Sequence, residues 1–213
     1  ITNKGLMYRL KCYEIPEGSK NAKGNNIINM LPLAEGEKIA QMIKTSDFDD
    51  GKFLIMVTKA GKIKRTTLSA YKNVRKNGLI AIGLDEGDEI MGARLTGGNN
   101  QLIIATRNGM AIRINETNIR TMSRQAHGVK AIKLRSDDYV VSMARVRDGA
   151  TVLTVSEKGL GRRCALERYR IQNRGGFGML NYKANEDKGY VCGIKVVDDE
   201  DDIIMISSDG III

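Results

Sequence analysis

The sequence is poor in the residues that most often carry out chemistry in proteins. Its 213 residues include one histidine, three cysteines, two prolines and no tryptophan. The cysteines lie far apart and form no CxxC pair, which argues against a disulfide framework or a zinc site and favours a reducing cytoplasm. We expect the lone histidine, His127, to be an exposed loop residue, and neither a general base nor a metal ligand.

Long apolar runs and nucleotide-binding motifs are missing too. No stretch approaches the roughly 18 consecutive apolar residues of a membrane span, and residues 1–20 lack the three-part organisation of a secretory signal. No Gly-rich phosphate loop of the P-loop type occurs. We interpret the acidic run at residues 198–202 as a solvated turn. The sequence therefore predicts a cytoplasmic binding domain, away from membranes, that has no catalytic residues, metal site or cofactor of its own.

The sequence contains instead a repeat marked by two glycines. A glycine followed four residues later by an arginine recurs about every 50 residues, and a second glycine follows each first one after 17–19 residues. This periodicity predicts one repeat domain over residues 1–213, with units at 1–52, 53–101, 102–150 and 151–202 and a partial unit at 203–213. The first glycines with their arginines are Gly5 and Arg9, Gly61 and Arg65, Gly109 and Arg113, Gly159 and Arg163, and the second glycines are Gly24, Gly78, Gly128 and Gly178.

Each unit reads as a set of short β-strands. The apolar runs at 53–57, 102–105, 151–155 and 203–206 are too short for buried helices and are typical of strands buried on both faces. A glycine turn then leads to a returning strand that carries the arginine. Two more alternating segments bring each unit to about four strands. Tandem four-stranded units that cover one another's faces are typical of an all-β, propeller-like fold.

Positive charge is concentrated in one part of each repeat, between the first and the second glycine. The four segments between first and second glycines hold 18 of the 34 basic residues and 4 of the 25 acids. Because equivalent positions of a repeat fall on one surface, we expect a basic stripe suited to the backbone of a bent DNA duplex. Aromatic residues, at 5%, are too sparse for the stacking platforms of single-strand binders. The predicted DNA-binding residues are Lys20, Lys23, Lys62, Lys64, Arg65, Lys72, Arg75, Lys76, Arg113, Arg120, Arg124, Lys130, Arg162, Arg163, Arg168, Arg170 and Arg174.

Two alternatives stay open at this point. The arginine four residues after each first glycine could equally be a structural partner, paired between blades with an acid of the turns such as Glu35-Gly36-Glu37. The whole stripe could also serve an acidic protein partner instead of DNA. A hydrolase on a propeller scaffold ranks last, because no candidate catalytic constellation is present.

The hairpins at residues 58–65 and 106–113, together with residues 8–17 and 27–33, resemble the C-terminal domains of DNA gyrase A subunits. The resemblance implies a β-pinwheel, a propeller relative whose blades exchange strands, and a basic rim that wraps duplex DNA with positive handedness. It implies a part in ATP-dependent strand passage and negative supercoiling, within an A2B2 assembly with the gyrase B subunit. The catalytic tyrosine, ATP and magnesium would then lie outside this chain.

Two features depart from the pattern of that family. Its domains usually have six blades, so four repeats and a fragment imply a piece of a longer subunit. The family's glycine-rich heptapeptide box belongs to the first blade, whereas the similar string here lies in the last full repeat, with Asn173 and Phe177 in place of an arginine and a lysine. The C-terminal domain of the paralogue topoisomerase IV therefore remains an alternative. The residues of this box-like loop that match are Gln172, Arg174, Gly175, Gly176 and Gly178.

Overall fold

A computed structural model describes residues 1–19, 22–48 and 51–212. Over these ranges the chain forms short β-strands and single 3-10 turns, without an α-helix, and no helix is long and apolar enough to cross a membrane. The 3-10 turns are Cys12–Glu14, Ile27–Asn29, Leu68–Tyr71, Glu116–Asn118 and Leu166–Arg168. The strands are β1 Leu6–Met7, β2 Phe53–Thr58, β3 Lys62–Thr67, β4 Leu79–Ile80, β5 Ile90–Thr96, β6 Gln101–Thr106, β7 Met110–Asn115, β8 Val129–Lys130, β9 Val140–Arg145, β10 Thr151–Ser156, β11 Gly161–Ala165, β12 Met179–Leu180 and β13 Val191–Val197.

The strands form antiparallel blades that exchange their outermost strand. The strand orders are β5-β2-β3-β8, β9-β6-β7-β12 and β13-β10-β11, with β1 paired to β4. In three of the sheets the outermost strand comes from the following repeat: β4 pairs with β1, β8 with β3 and β12 with β7. At the opposite edge, β5 contacts β9 and β9 contacts β13, which makes these three the inner strands. The all-β pinwheel prediction is thereby confirmed.

This exchange explains two of the phased glycines. Gly109 has φ +87°, and a Cβ there would lie 1.9 Å from the carbonyl oxygen of Tyr182 in the next repeat. Gly178 has φ +75°, and its Cβ would lie 2.3 Å from the carbonyl oxygen of Ala111. The first glycine of one unit and the second glycine of the next therefore lie on opposite sides of the same junction, where only a residue without a side chain fits.

The core consists of apolar layers between neighbouring blades. One layer packs Ile55 and Ile63 of the β2–β3 hairpin against Ile104 and Ile112 of the β6–β7 hairpin, and all four are fully buried. Burying each such side chain contributes about 1.5–3 kcal/mol. A second layer joins the β6–β7 and β10–β11 blades, and a third joins residues 1–48 to the β2–β3 blade. This sandwiching confirms that β2 and β6 are buried on both faces.

Three strand predictions differ from the structure. β10 alternates between buried and half-buried residues, because described residues cover only the side that faces the β6–β7 blade. Residues 203–206 form no strand and are exposed, apart from an isolated bridge between Ile206 and Ile212, since no sheet among the described residues covers them. Among the described residues of 1–52 only β1 is a strand. The inner pairing seen in other blades is reduced there to a Thr2–Ile39 bridge with backbone hydrogen bonds on either side of it.

Candidate nucleic-acid interface

The basic segments form loops at the outer edge of the blades. The loops at residues 68–78, 116–128 and 166–178 each start on their own blade and end in the exchanged strand of the preceding one. Because the exchanged strand is outermost in the sheet order, the loops lie on the side away from β5, β9 and β13. Each loop therefore connects two neighbouring blades along the outer edge of the molecule.

Equivalent hydrogen bonds hold two of these loops in the same position. Met122 N donates to Arg65 O at 2.8 Å, and Gln172 N donates to Arg113 O at 2.8 Å, one repeat further on. Ala126 O accepts from Gly83 N at 3.2 Å, and the matching oxygen of Gly176 accepts from Lys133 N at 2.7 Å. The backbones of the two loops are therefore held in equivalent positions, and so are the Cα atoms that carry corresponding side chains.

Most of the predicted cations are exposed on these loops. Arg124 is half-buried, and Lys23 is exposed within residues 1–48. Lys20 lies outside the described residues. The predicted cations that are exposed on the loops or next to them are Lys72, Arg75, Lys76, Arg120, Lys130, Arg162, Arg163, Arg168, Arg170 and Arg174.

Lys64 is a correction to the predicted stripe. Its side chain is fully buried, and its ammonium group donates to Ala81 O at 2.6 Å and to Arg124 O. Burial, and then the charge of Arg124, lower the pKa of Lys64 to about 7. A side chain with no accessible surface does not contact a nucleic acid, so Lys64 belongs to the junction between blades and not to the outer surface.

Arg65 and Arg113 also connect neighbouring repeats. This is the structural role that the sequence analysis left open as an alternative to DNA binding. The guanidinium of Arg65 donates to Glu116 O at 3.3 Å and lies 3.9 Å from the Phe53 ring centre. Arg113 donates to Leu166 O at 3.1 Å and Tyr169 O at 3.2 Å. The acceptors are carbonyl oxygens of the next repeat's 3-10 turn, and not the acids of the Glu-Gly-Glu type that the sequence suggested.

The other two arginines of this series differ from that pair. Arg9 is exposed, with its guanidinium 4.9 Å from the Phe48 ring centre. Arg163 is exposed and forms an ion pair with Asp199 at 2.7 Å. Asp199 comes from the acidic run at 198–202, of which Asp198 and Asp201 pair with Arg147. These acids thus neutralise cations of the last described blade.

A charged cluster joins the β2–β3 blade to the loop at 116–128. Asp85 accepts from Lys62 Nζ, and its other carboxylate oxygen lies 2.7 Å from His127 Nδ1. Hydrogen bonds from Lys62 and His127 lower the pKa of Asp85. Lys62 is half-buried, so its charge is largely directed at Asp85. His127 is exposed, as the sequence predicted, and the described residues include no group of acids, cysteines and histidines that could hold a metal ion.

The box-like loop is fixed to the preceding repeat at several points. Gly175 N donates to Ala131 O at 2.6 Å, next to the bonds made by Gln172 and Gly176. The guanidinium of Arg174 donates to Asn118 O at 3.2 Å and to Lys130 O at 3.3 Å while the side chain stays exposed. The positive φ values of Gly175 and Gly178 allow the chain to turn at both ends of the Phe177 segment.

Sequence reasoning missed three exposed cations beside the loops. Lys133 and Arg135 follow β8, and Lys183 follows β12, so each lies on the blade that receives the exchanged strand. The basic segments end at the second glycine, where the chain crosses to the neighbouring blade, and of the cations beyond it the prediction includes only Lys130. Continuing the count for seven residues past that glycine would have included them.

Blades that exchange strands and carry phased cations on their outer loops define a propeller-like repeat domain with a basic edge. A family model described as DNA gyrase C-terminal domain, beta-propeller, matches residues 1–46, 52–96, 100–147 and 150–198. The chain therefore belongs to this family. The resemblance seen in the hairpins is confirmed.

Relatives and solved structures agree with that assignment. The DNA gyrase A subunit of Haloquadratum walsbyi is 41% identical over 216 residues, covering 99% of this chain and 25% of that protein. Its counterpart from Clostridium acetobutylicum is 46% identical over 213 residues, covering 100% of this chain and 26% of that protein. The chain thus spans about a quarter of the length of these relatives.

The solved structures have the same fold at lower identity. The C-terminal domain of DNA topoisomerase IV superimposes with a TM-score of 0.89 at 27% identity, covering 99% of this chain and 66% of that one. The DNA gyrase A C-terminal domain superimposes with a TM-score of 0.86 at 27% identity, covering 100% of this chain and 69% of that one.

Proposed function

We propose that this chain binds duplex DNA along its outer loops and wraps it, as the DNA-wrapping part of a gyrase A subunit. One observation carries the proposal: cation-bearing loops are held at equivalent positions on successive blades, by the same hydrogen bonds to Arg65 and Arg113. A duplex that follows these loops meets positive charge at every junction. Gyrase is favoured over topoisomerase IV because the relatives at 41% and 46% identity are gyrase A subunits.

Electrostatics supplies the energy for bending. Smooth bending of 20–30 base pairs through 40–90° costs about 1–6 kcal/mol. Phosphate contacts offset this cost, because every neutralised phosphate releases condensed counterions. The DNA-contacting residues that we propose are the exposed cations Lys23, Lys72, Arg75, Lys76, Arg120, Lys130, Arg162, Arg168, Arg170 and Arg174, with Arg124, Lys133, Arg135 and Lys183.

The remaining steps belong to the whole protein and are proposed with it. The wrapped segment would be presented to a strand-passage core elsewhere on the protein, in an A2B2 complex with the gyrase B subunit in the cytoplasm. ATP hydrolysis, magnesium and the DNA-cleaving tyrosine would reside on those other parts, and supercoiling would be negative. This chain would contribute binding that is largely independent of sequence, since phosphates carry no base information.

Salt titration and a topology assay test the proposal together. With roughly 6–8 phosphates engaged, the logarithm of the binding constant should fall with the logarithm of salt at a slope of about −5 to −7. Ligation of nicked circular DNA in the presence of the chain should give a positive shift in linking number. A salt-dependent affinity with unchanged linking number would contradict wrapping. Saturable binding to an acidic protein with no DNA affinity would favour the interaction-module alternative.

A further inference from the structure

Phe177 is an exposed aromatic ring in the middle of a basic loop. The side chain retains 43% of its accessible surface and belongs to none of the three apolar layers of the core. The loop also carries the exposed cations Arg170 and Arg174, and Leu180 in the strand that follows is 63% exposed. Packing in the apolar core therefore does not account for a phenylalanine at this position.

The backbone holds the ring in place from both sides. Gly175 N and Gly176 O are bonded to Ala131 O and Lys133 N, in the preceding repeat. On the other side, Gly178 lies so close to Ala111 that a Cβ would be 2.3 Å from its carbonyl oxygen. The ring is thus presented by a fixed loop and not by a free end, which limits the entropy lost when it enters a binding partner.

The equivalent position in the preceding repeat has a different residue with a different partner. The residue before the second glycine is His127 in the preceding repeat, where it contacts Asp85 on the neighbouring blade. The residue that corresponds to Asp85 one repeat later is Arg135. The Phe177 ring accordingly lies 4.8 Å from Lys133 Nζ and 5.9 Å from the Arg135 guanidinium carbon. An acid–histidine pair is replaced here by an apolar ring with two cations over it.

We propose that Phe177 is a wedge that inserts between base pairs in the minor groove of the bound duplex and fixes a kink there. Phosphates line both sides of that groove, so Lys133 and Arg135 can turn from the ring to the DNA backbone as the ring enters the groove. Apolar wedges partly unstack a base step and bend DNA toward the major groove. Pyrimidine–purine steps such as TA unstack most easily. Phe177 would thus give an otherwise sequence-neutral domain a preferred register on DNA. This inference rests on the proposed function.

The test uses duplexes of 30 base pairs that contain 2-aminopurine beside one central TA step, or beside a GC step as reference. Binding of the unchanged chain should raise 2-aminopurine fluorescence at the TA step and favour the TA duplex over the GC duplex. Phe177→Ala should abolish the fluorescence rise and lower affinity for the TA duplex by about tenfold. Phe177→Leu should keep most of both effects, because leucine is also an effective wedge.

Two controls separate the possible failures. Asn77→Ala changes the residue before Gly78, the same position in an earlier repeat, and should leave fluorescence and affinity unchanged. Thermal unfolding of each variant checks that the fold is intact. If Phe177→Ala retains the fluorescence rise and the TA preference, the wedge is refuted, while an unchanged salt slope leaves the proposed function standing. If the unchanged chain does not bind either duplex, both proposals fail.

Discussion

Lys64 Nζ lies 2.6 Å from the carbonyl oxygen of Ala81, inside the junction between two repeats. The same carbonyl accepts from Tyr71 OH at 2.8 Å, and Lys64 also donates to Arg124 O in the loop of the next repeat. Lys64, which the sequence alone suggests is one more cation of the stripe, is therefore a buried residue that links Ala81 to Arg124 through hydrogen bonds. Its position makes the stability of the junction depend on its protonation state.

The pH dependence of stability should reveal this lysine. Its pKa is about 7 in the folded chain, whereas an unfolded lysine has a value of 10.5. Between these values the unfolded state binds the extra proton, so the free energy of unfolding should rise as pH increases above 7. From pH 7 to 9 the gain should be about 2 kcal/mol.

Lys64→Met is the matched variant for urea unfolding at several pH values. It should lack the gain seen in the unchanged chain, because methionine does not titrate. Burial also lowers the pKa of the Ile1 amino group, but both proteins retain that group, so the difference between them isolates Lys64. Parallel pH curves for the two proteins would show that the buried ammonium does not govern the stability of the junction.

Arg113 and Arg120 should have opposite effects, although both belong to the basic segment of the same repeat. Arg113→Met removes charge-assisted hydrogen bonds to Leu166 O and Tyr169 O and should lower the free energy of unfolding by about 1.5–3 kcal/mol. Its salt slope for DNA binding should stay the same. Arg120→Met alters an exposed side chain, so stability should be unchanged while the slope becomes shallower by about 0.9. Identical behaviour of the two variants would contradict the assignment.

Arg75 and Lys76 provide the most direct test of the outer surface. Both are exposed in the loop that ends in β4, and replacing both with alanine should make the salt slope shallower by about 1.8 and weaken DNA binding at low salt. The free energy of unfolding should not change. Lys195→Ala, on the inner strand β13, is a control of the same charge type and should retain full affinity. Loss of folded protein in the double variant would indicate a structural role instead.

The glycines of the junction can be tested against a glycine in open space. Gly109→Ala introduces a Cβ 1.9 Å from Tyr182 O as well as an unfavourable φ. Gly149 has φ +73° with no atom within 4 Å of an added Cβ, so Gly149→Ala isolates the backbone effect, about 1–2 kcal/mol. Gly109→Ala should reduce the free energy of unfolding by clearly more than this. Equal losses in urea unfolding would mean that the chain relaxes around the added methyl group.

The hairpins could be predicted from sequence because their signals are local. The apolar run before Gly61, the turn itself and the return through Ile63 all appear in the order in which they fold. Exchange of β8 onto β3 has no such signal, because periodicity states how often a strand occurs and not which neighbour it joins. That feature came from the family resemblance.

The errors in the site have equally specific causes. Lys64 was counted as a surface cation by its charge, although its equivalent one repeat later, Ile112, is fully buried. Comparing the repeats position by position would have signalled this. In the next repeat, the partners of Arg65 and Arg113 are carbonyl oxygens, which every residue has, so no side chain of that repeat marks them in the sequence.

Strand exchange has a consequence for how such chains change in length. The outer edges of β1, β3 and β7 are each completed by a strand from the next 50 or so residues. The unit that can be duplicated or lost is therefore one period of the sequence and not one blade. If one whole period is removed, from any residue to the equivalent residue of the next repeat, the next exchanged strand can still pair with the outer edge of the blade that precedes the deletion. The number of blades can therefore vary among related proteins without leaving a newly unpaired strand within the array.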